Sequence, residues 1–300
     1  MPPAPPSTDL LIVGGLTVDR FEEGATAPGG SAMHATRAAV HAGLRVGVLT
    51  VAGDESTARR GLDELRELGV DVEAVGARDS ITYRHRETPT GRRLWLERRS
   101  GHIDRVAAHL DARPSRSVLF APVADELPAP SLPQRHREIP AGAILQGWLR
   151  ATAADGEVRP IPPADLGDSL VTELRRLGVL VASREDLLAS ADQPTAQLDA
   201  LRVRLGEGPL LIVTDGPEGA WLDDGSAGGR WHLPVPWRVE GVPMVGAGDA
   251  LAAVFVAAWR QAAMPDAYVS GAGTYRRSSI DTAAQRAMRE VSEMLESRRT

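Results

Sequence analysis

Short apolar runs alternating with amphipathic helical stretches predict an α/β chain of three layers, α/β/α, around a mostly parallel central sheet. The runs DLLIVGG (9–15), LRVGVLTVAG (44–53), SVLFAPV (117–123), GAILQGW (142–148), GVLVAS (178–183) and PLLIVTDG (209–216) read as buried strands. Between them, SAMHATRAAVHAG (31–43) and DESTARRGLDELRELG (54–69) read as helices with a glycine just past the end. ADLGDSLVTELRRLG (164–178), TAQLDALRVRLG (195–206) and IDTAAQRAMREVSEMLES (280–297) carry the same helical pattern. One segment breaks the alternation. ITYRHRE (81–87) and RRLWLERR (92–99) flank the turn sequence TPTG, which predicts a β-hairpin standing apart from the main sheet. MPDAYVSGAGTYRRSS (264–279) has no clear period.

Composition narrows the chemistry. The 300 residues suffice for one large core, and 43% hydrophobic with 25% charged residues is ordinary for a globular chain. A net charge of −6 gives no electrostatic case for nucleic acid or an anionic membrane as partner. The chain has no cysteine, which excludes disulfides and thiolate nucleophiles. It also has no lysine, so a Walker-A loop and a Schiff base are excluded. Residues 1–8 read as a flexible Pro-rich lead without the blocks of a signal peptide, and 9–300 as a single domain, so a cytoplasmic location is expected.

Ligands of such a sheet gather at the carboxyl ends of its strands, and four loops there stand out. In VGAGDALAAVFVAAW (245–259), Gly246, Ala247 and Gly248 precede Asp249 and an apolar helix. Helix-start amides and glycines suit an approaching phosphate, and a carboxylate there is either a base or a helix cap. In VTDGPEGAWL (213–222), Thr214, Gly216 and Gly219 form either a ligand loop or a plain tight turn. In PGGSAMHATRAAV (28–40), Gly29 and Gly30 open a helix, and Asp19 lies just beyond the first strand.

In this order and spacing, with VAGDE (51–55) between, these motifs resemble the ribokinase-like (PfkB) family of carbohydrate and nucleoside kinases, from about Asp9 to Trp259. The middle, APVADELP, LQGWLR and VASREDL, resembles the compact, lid-poor branch that includes myo-inositol kinases. The resemblance implies ATP-dependent phosphoryl transfer to a hydroxyl of a small polyol or sugar, with Mg2+. Asp249 would be the general base, and the amides of Gly246, Ala247 and Gly248 the hole for the transferring phosphoryl group. Asp19, Gly29, Gly30, His34 and Arg150 would bind the acceptor, although His34 and Arg150 read equally as bland surface residues. Ser183, Asp186, Thr214, Gly216 and Gly219 would line the nucleotide, with Asp186 holding magnesium through water.

The chain departs from the family pattern at several points. Pro243 stands where an aspartate usually precedes the GAGD motif, Ile144 stands where one is common, and Ser183 and Asp186 shorten an Asn-x-x-Glu motif. The adenine-side loop after Trp259 is not recognisable. The stretch from Asp19 to Gly29 is too short for the inserted lid of many relatives, so the 81–99 hairpin is expected to be the only cover. A reduced lid implies a monomer or weak homodimer. A nucleoside kinase and a non-catalytic sugar- or nucleotide-binding relative remain as alternatives.

Overall fold

In the computed structural model, residues 8–88, 91–227, 229–263 and 277–299 are described. The chain runs β1 (Leu10–Val13), β2 (Thr17–Arg20), β3 (Thr26–Gly29), α1 (Ser31–His41), β4 (Val46–Ala52), α2 (Ser56–Glu67) and β5 (Asp71–Gly76). The hairpin β6 (Ile81–Thr88) and β7 (Gly91–Arg98) follows, then α3 (Val106–Ala112), β8 (Val118–Phe120), β9 (Ala141–Ile144), β10 (Arg150–Thr152) and β11 (Val158–Pro160). The remainder is α4 (Asp168–Leu174), β12 (Val179–Ser183), α5 (Pro194–Leu205), β13 (Leu210–Thr214), β14 (Ala220–Asp223), β15 (Arg230–Leu233), α6 (Ala247–Ala263) and α7 (Arg277–Glu296).

Nine strands form the main sheet in the order β15-β14-β13-β12-β9-β8-β1-β4-β5. The run from β13 to β5 is parallel, and β14 and β15 add an antiparallel edge. Alternation along each strand divides the core. Leu10 and Ile12 of β1 pack with Met33 of α1, Leu65 of α2 and Phe255 and Trp259 of α6. Leu11 and Val13 turn to the other face, with Leu110 of α3, Leu174 of α4 and Leu201 of α5. An α6 that is apolar all round follows from its position, because the sheet lies on one side and α1 and α7 pack on others.

The expectation about the lid needs correction. The hairpin is not alone: a four-stranded sheet of order β3-β2-β6-β7 stands beside the main one. The short segment after Asp19 supplies two of its strands, β2 pairing antiparallel with β3 and parallel with β6. Four residues per strand are enough, because the eight-residue strands of the hairpin supply the rest of the sheet. Residues 1–7 and 264–276 lie outside the described residues, and with them most of the Pro-rich lead and of the aperiodic segment. No helix among the described residues is long and apolar enough to cross a membrane.

Candidate active site

The carboxyl ends of β1, β8, β9, β12 and β13, the start of α6 and the small sheet meet in one region. Helix α6 begins at Ala247, so Asp249 stands inside its first turn and is not the cap. The residue at the cap position is Gly246, with φ of 81°. A Cβ there would lie 2.6 Å from the His34 ring, so the turn and the first turns of α1 touch directly. The Ala247 amide donates to the Met244 carbonyl at 3.0 Å, which closes the turn and takes that amide out of the expected anion hole. The later first-turn amides, those of Gly248 and Asp249, have no intrahelical acceptor by helix geometry and lie at the positive end of the helix dipole.

Asp249 is a strongly perturbed carboxyl. Burial pushes its pKa from the ordinary value up to about 7; the Ser31 hydroxyl pulls it back, the negative charge of Asp186 adds to the rise, and Arg150 opposes it. Such a group is half-ionised near neutrality, as a general base should be. Ser31 is the first residue of α1, so the Gly29–Gly30 turn brings its hydroxyl to the vicinity of Asp249, without a hydrogen bond of ordinary geometry between them. Sequence reasoning passed over Ser31, and no periodic signal marks it.

Ser183 and Asp186 are also brought here. Asp186 Oδ2 accepts from the Ser183 hydroxyl at 2.6 Å and from the Ser183 amide at 3.1 Å, while Oδ1 accepts from Arg150 at 3.3 Å. Arg150 therefore bridges towards the phosphate side as well as the acceptor side. Thr214 ends β13 with its hydroxyl in van der Waals reach of Gly248. Gly216 and Gly219 instead close the turn between β13 and β14. A Cβ on Gly219 would sit 2.2 Å from the Leu233 carbonyl, so the turn alone explains that glycine.

On the acceptor side, Asp19 accepts from the Thr17 hydroxyl at 2.9 Å and faces His85 Nε2 at 3.3 Å. Gly29 is needed because a Cβ would stand 2.2 Å from Asp19 Oδ2. Gly30, with φ of 97°, passes within 2.6 Å of the Gly15 carbonyl by the same measure. His85 was missed from sequence, although Ile81, Tyr83 and His85 alternate along β6 and are all buried on its inner face. A cleft of about 450 Å3 opens between the small sheet and the body, lined among others by Tyr83, Arg99, His102, Ala124, Trp148 and Arg150. The Tyr83 hydroxyl donates to the Val123 carbonyl at 2.6 Å.

The run-up to the turn before α6 is held from residues 298 and 299. Arg298, just after α7, donates to the carbonyls of Pro243 at 2.8 Å and Val245 at 3.0 Å, and Arg299 to that of Glu240 at 2.8 Å.

A three-layer α/β/α body, a helix start beside a carboxylate poised near neutrality and a small covering sheet together define a ribokinase-like architecture. Residues 142–287 match the model of the pfkB family carbohydrate kinases. No curated protein matches the chain in sequence. Among solved structures, a pyrophosphate-dependent kinase of the ribokinase family, complexed with a pyrophosphate analog and myo-inositol, superposes with TM-score 0.68 at 17% identity over 95% of this chain and 94% of that one. Aminoimidazole riboside kinase from Salmonella enterica gives TM-score 0.63 at 18% identity over 95% and 93%. Fructokinase from Vibrio cholerae O395 gives 0.64 at 16% identity over 96% and 98%. Residues 142–287 are thus similar to the pfkB family carbohydrate kinases, and the chain as a whole has the fold of the ribokinase-family structures.

Proposed function

We propose that the chain moves the terminal phosphoryl group of ATP to a hydroxyl of a small polyol or sugar, with Asp249 as the base. The supporting observation is the Asp249 carboxyl, held near pKa 7 beside helix-start amides. In this reading Asp19 accepts hydrogen bonds from the acceptor hydroxyls, and the β6 and β7 side of the cleft excludes water. Asp249 takes the proton of the attacking hydroxyl as the phosphoryl group leaves the donor, and the amides of Gly248 and Asp249 face its equatorial oxygens. Arg150, already beside Asp186, supplies a planar cation to the same charge.

Asp186 and Asp249 fit a divalent cation bound through water and phosphate. Two carboxylates press on one another electrostatically, with one guanidinium, bonded to Asp186, that also acts on Asp249. Bound there, magnesium would neutralise donor phosphate charge.

Pyrophosphate as donor is the second reading. It is favoured by the likeness to pyrophosphate-dependent kinases, at TM-scores of 0.68 and 0.69. A grid of two donors, ATP and pyrophosphate, against myo-inositol, fructose and adenosine, followed by 31P NMR, tests both readings. Transfer from ATP to myo-inositol or fructose is expected. Transfer from pyrophosphate alone would replace the donor, adenosine as sole acceptor would make the chain a nucleoside kinase, and no transfer with any pair would overturn the assignment.

A further inference from the structure

Glu126 lies in the APVADELP stretch but has been given no role above, and it touches no group in the chemistry just described, yet it is wholly buried. An ionised carboxylate in such a place is costly unless fully hydrogen-bonded. Its Oε1 accepts from the amides of Gly15 at 2.8 Å and Val123 at 2.9 Å, and its Oε2 from the amide of Ala124 at 2.9 Å. Its own carbonyl accepts from the Ile103 amide at 2.8 Å. Burial raises its pKa, and the three amides oppose that rise.

These four contacts gather segments that frame the small sheet and the cleft beside it. Gly15 lies two residues before β2, the strand that carries Asp19. Val123 and Ala124 line the cleft itself, and the Val123 carbonyl also takes the Tyr83 hydroxyl of β6. Ile103 lies on the path out of β7, next to His102 of the cleft wall. Thus the entry to the small sheet, its exit and its inner face all converge on residues 123–126. The fit is tight from the other side too: a Cβ on Gly15 would stand 2.8 Å from Glu126 Oε1 and 2.6 Å from Ile81 Cδ1.

We infer that Glu126 is a positioning residue for acceptor binding, a hydrogen-bonded pin that fixes the small sheet and its Asp19 at the right distance from the body. The inference rests on the kinase reading above. It separates acceptor from donor, because none of the segments Glu126 ties carries Ser183, Asp186, Thr214 or the α6 start. In Glu126→Gln the amide group can still accept two hydrogen bonds through its oxygen, but its NH2 must face a backbone N–H.

The test uses the full chain, at a temperature where circular dichroism shows every variant folded, with myo-inositol as acceptor probe and each donor in turn. Glu126→Gln is expected to raise the acceptor KM at least about tenfold, with kcat and donor KM changed less than about threefold. Gly15→Ala, which pushes on the carboxylate from outside, should give the same split. Hydrogen exchange supplies a readout independent of turnover. Amides of Gly15, Val123, Ala124 and the small sheet should exchange at least about tenfold faster in Glu126→Gln, while those of α5 stay unchanged. Equal effects on both substrates, no kinetic change in either variant, or a uniform rise in exchange would overturn the assignment. A wild-type chain that transfers nothing would refute the kinase reading by itself; the exchange pattern would then decide whether Glu126 pins the small sheet.

Discussion

Asp249 has a single hydroxyl beside it, with a guanidinium further out and a second carboxylate pressing on it, and it sits at the start of a helix whose body is apolar. On the small sheet the carboxylates are differently served. Asp19 has Thr17 and His85, Glu97 has Arg20 and Arg84, and Glu157, bridged to β7, has Arg93 and Arg159. Under the proposed function the difference is one of purpose. A carboxylate that must take up a proton is kept short of partners, so that its charged form is no more favourable than its neutral one. A carboxylate that must hold hydroxyls is fixed in place beforehand, so that little ordering remains to be done on binding.

The sharpest way to break this contrast is Asp249→Asn. It should lower kcat by about 10²–10⁴-fold. It should not lower stability, and the sign follows from linkage. The folded pKa lies at about 7, above the model value of 3.8, so wild-type stability falls as pH rises between those values and is flat above them. The Asn variant lacks that fall, so at pH 8 it should melt at or above the wild type in calorimetry. An active variant, or one that melts well below wild type, would show that the carboxylate is structural. The wild-type rate should itself fall about tenfold per pH unit below 7.

Asp19→Ala comes next. Loss of a charge-assisted acceptor, worth roughly 1.5–3 kcal/mol, should weaken acceptor binding by about one to two decades and leave donor binding alone. Gly29→Ala should do the same through position alone, since its methyl would meet Asp19 Oδ2. Isothermal calorimetry with each substrate separates the two sides, and equal weakening of both would erase the distinction between them.

Asp186→Asn has a subtler effect. It removes the like charge that raises Asp249 and releases Arg150 to act on Asp249 more fully. The acid limb of the rate profile should therefore move to lower pH, whatever happens to the absolute rate. A limb that stays in place, or moves up, would show that burial alone sets the Asp249 pKa.

The smallest effect is expected from Gly248→Ala. The added methyl makes only ordinary contact with the Thr214 hydroxyl, at 3.6 Å. Thermal unfolding should show a gain of about 0.5–1 kcal/mol, because alanine is the better helix residue. A fall in kcat of more than about tenfold would mean that the phosphate presses on this backbone more closely than electrostatic stabilisation alone requires.

Local patterns carried most of the fold into view. Alternating strands and helices, the 81–99 hairpin and the helix after GAGD were all legible, because each rests on periodicity within one segment. What escaped depends on distant partners. The four-residue strands β2 and β3 have little period of their own and become strands through pairing with β6. The site residues divide similarly. Asp186, Thr214 and Asp249 were found by motif and gather near the α6 start, and Asp19 was found by motif on the small sheet, whereas Ser31, His85 and Glu126 matter through residues 66 to 218 positions away. Ser31 reaches Asp249, His85 reaches Asp19, and Glu126 reaches Gly15. The aspartate that reads as a helix cap proved to stand inside the helix, since cap and first turn differ by only a few residues of sequence.

The grip of Arg298 and Arg299 on residues 240–245 means that the turn before α6 is braced from residues 298 and 299. Helix ends open more readily than cores. Heating should therefore cost the enzyme its turnover while its far-ultraviolet spectrum is still native. The temperature at which it stops working and the temperature at which it unfolds would be two different properties, the first governed by the grip of two arginines on backbone carbonyls.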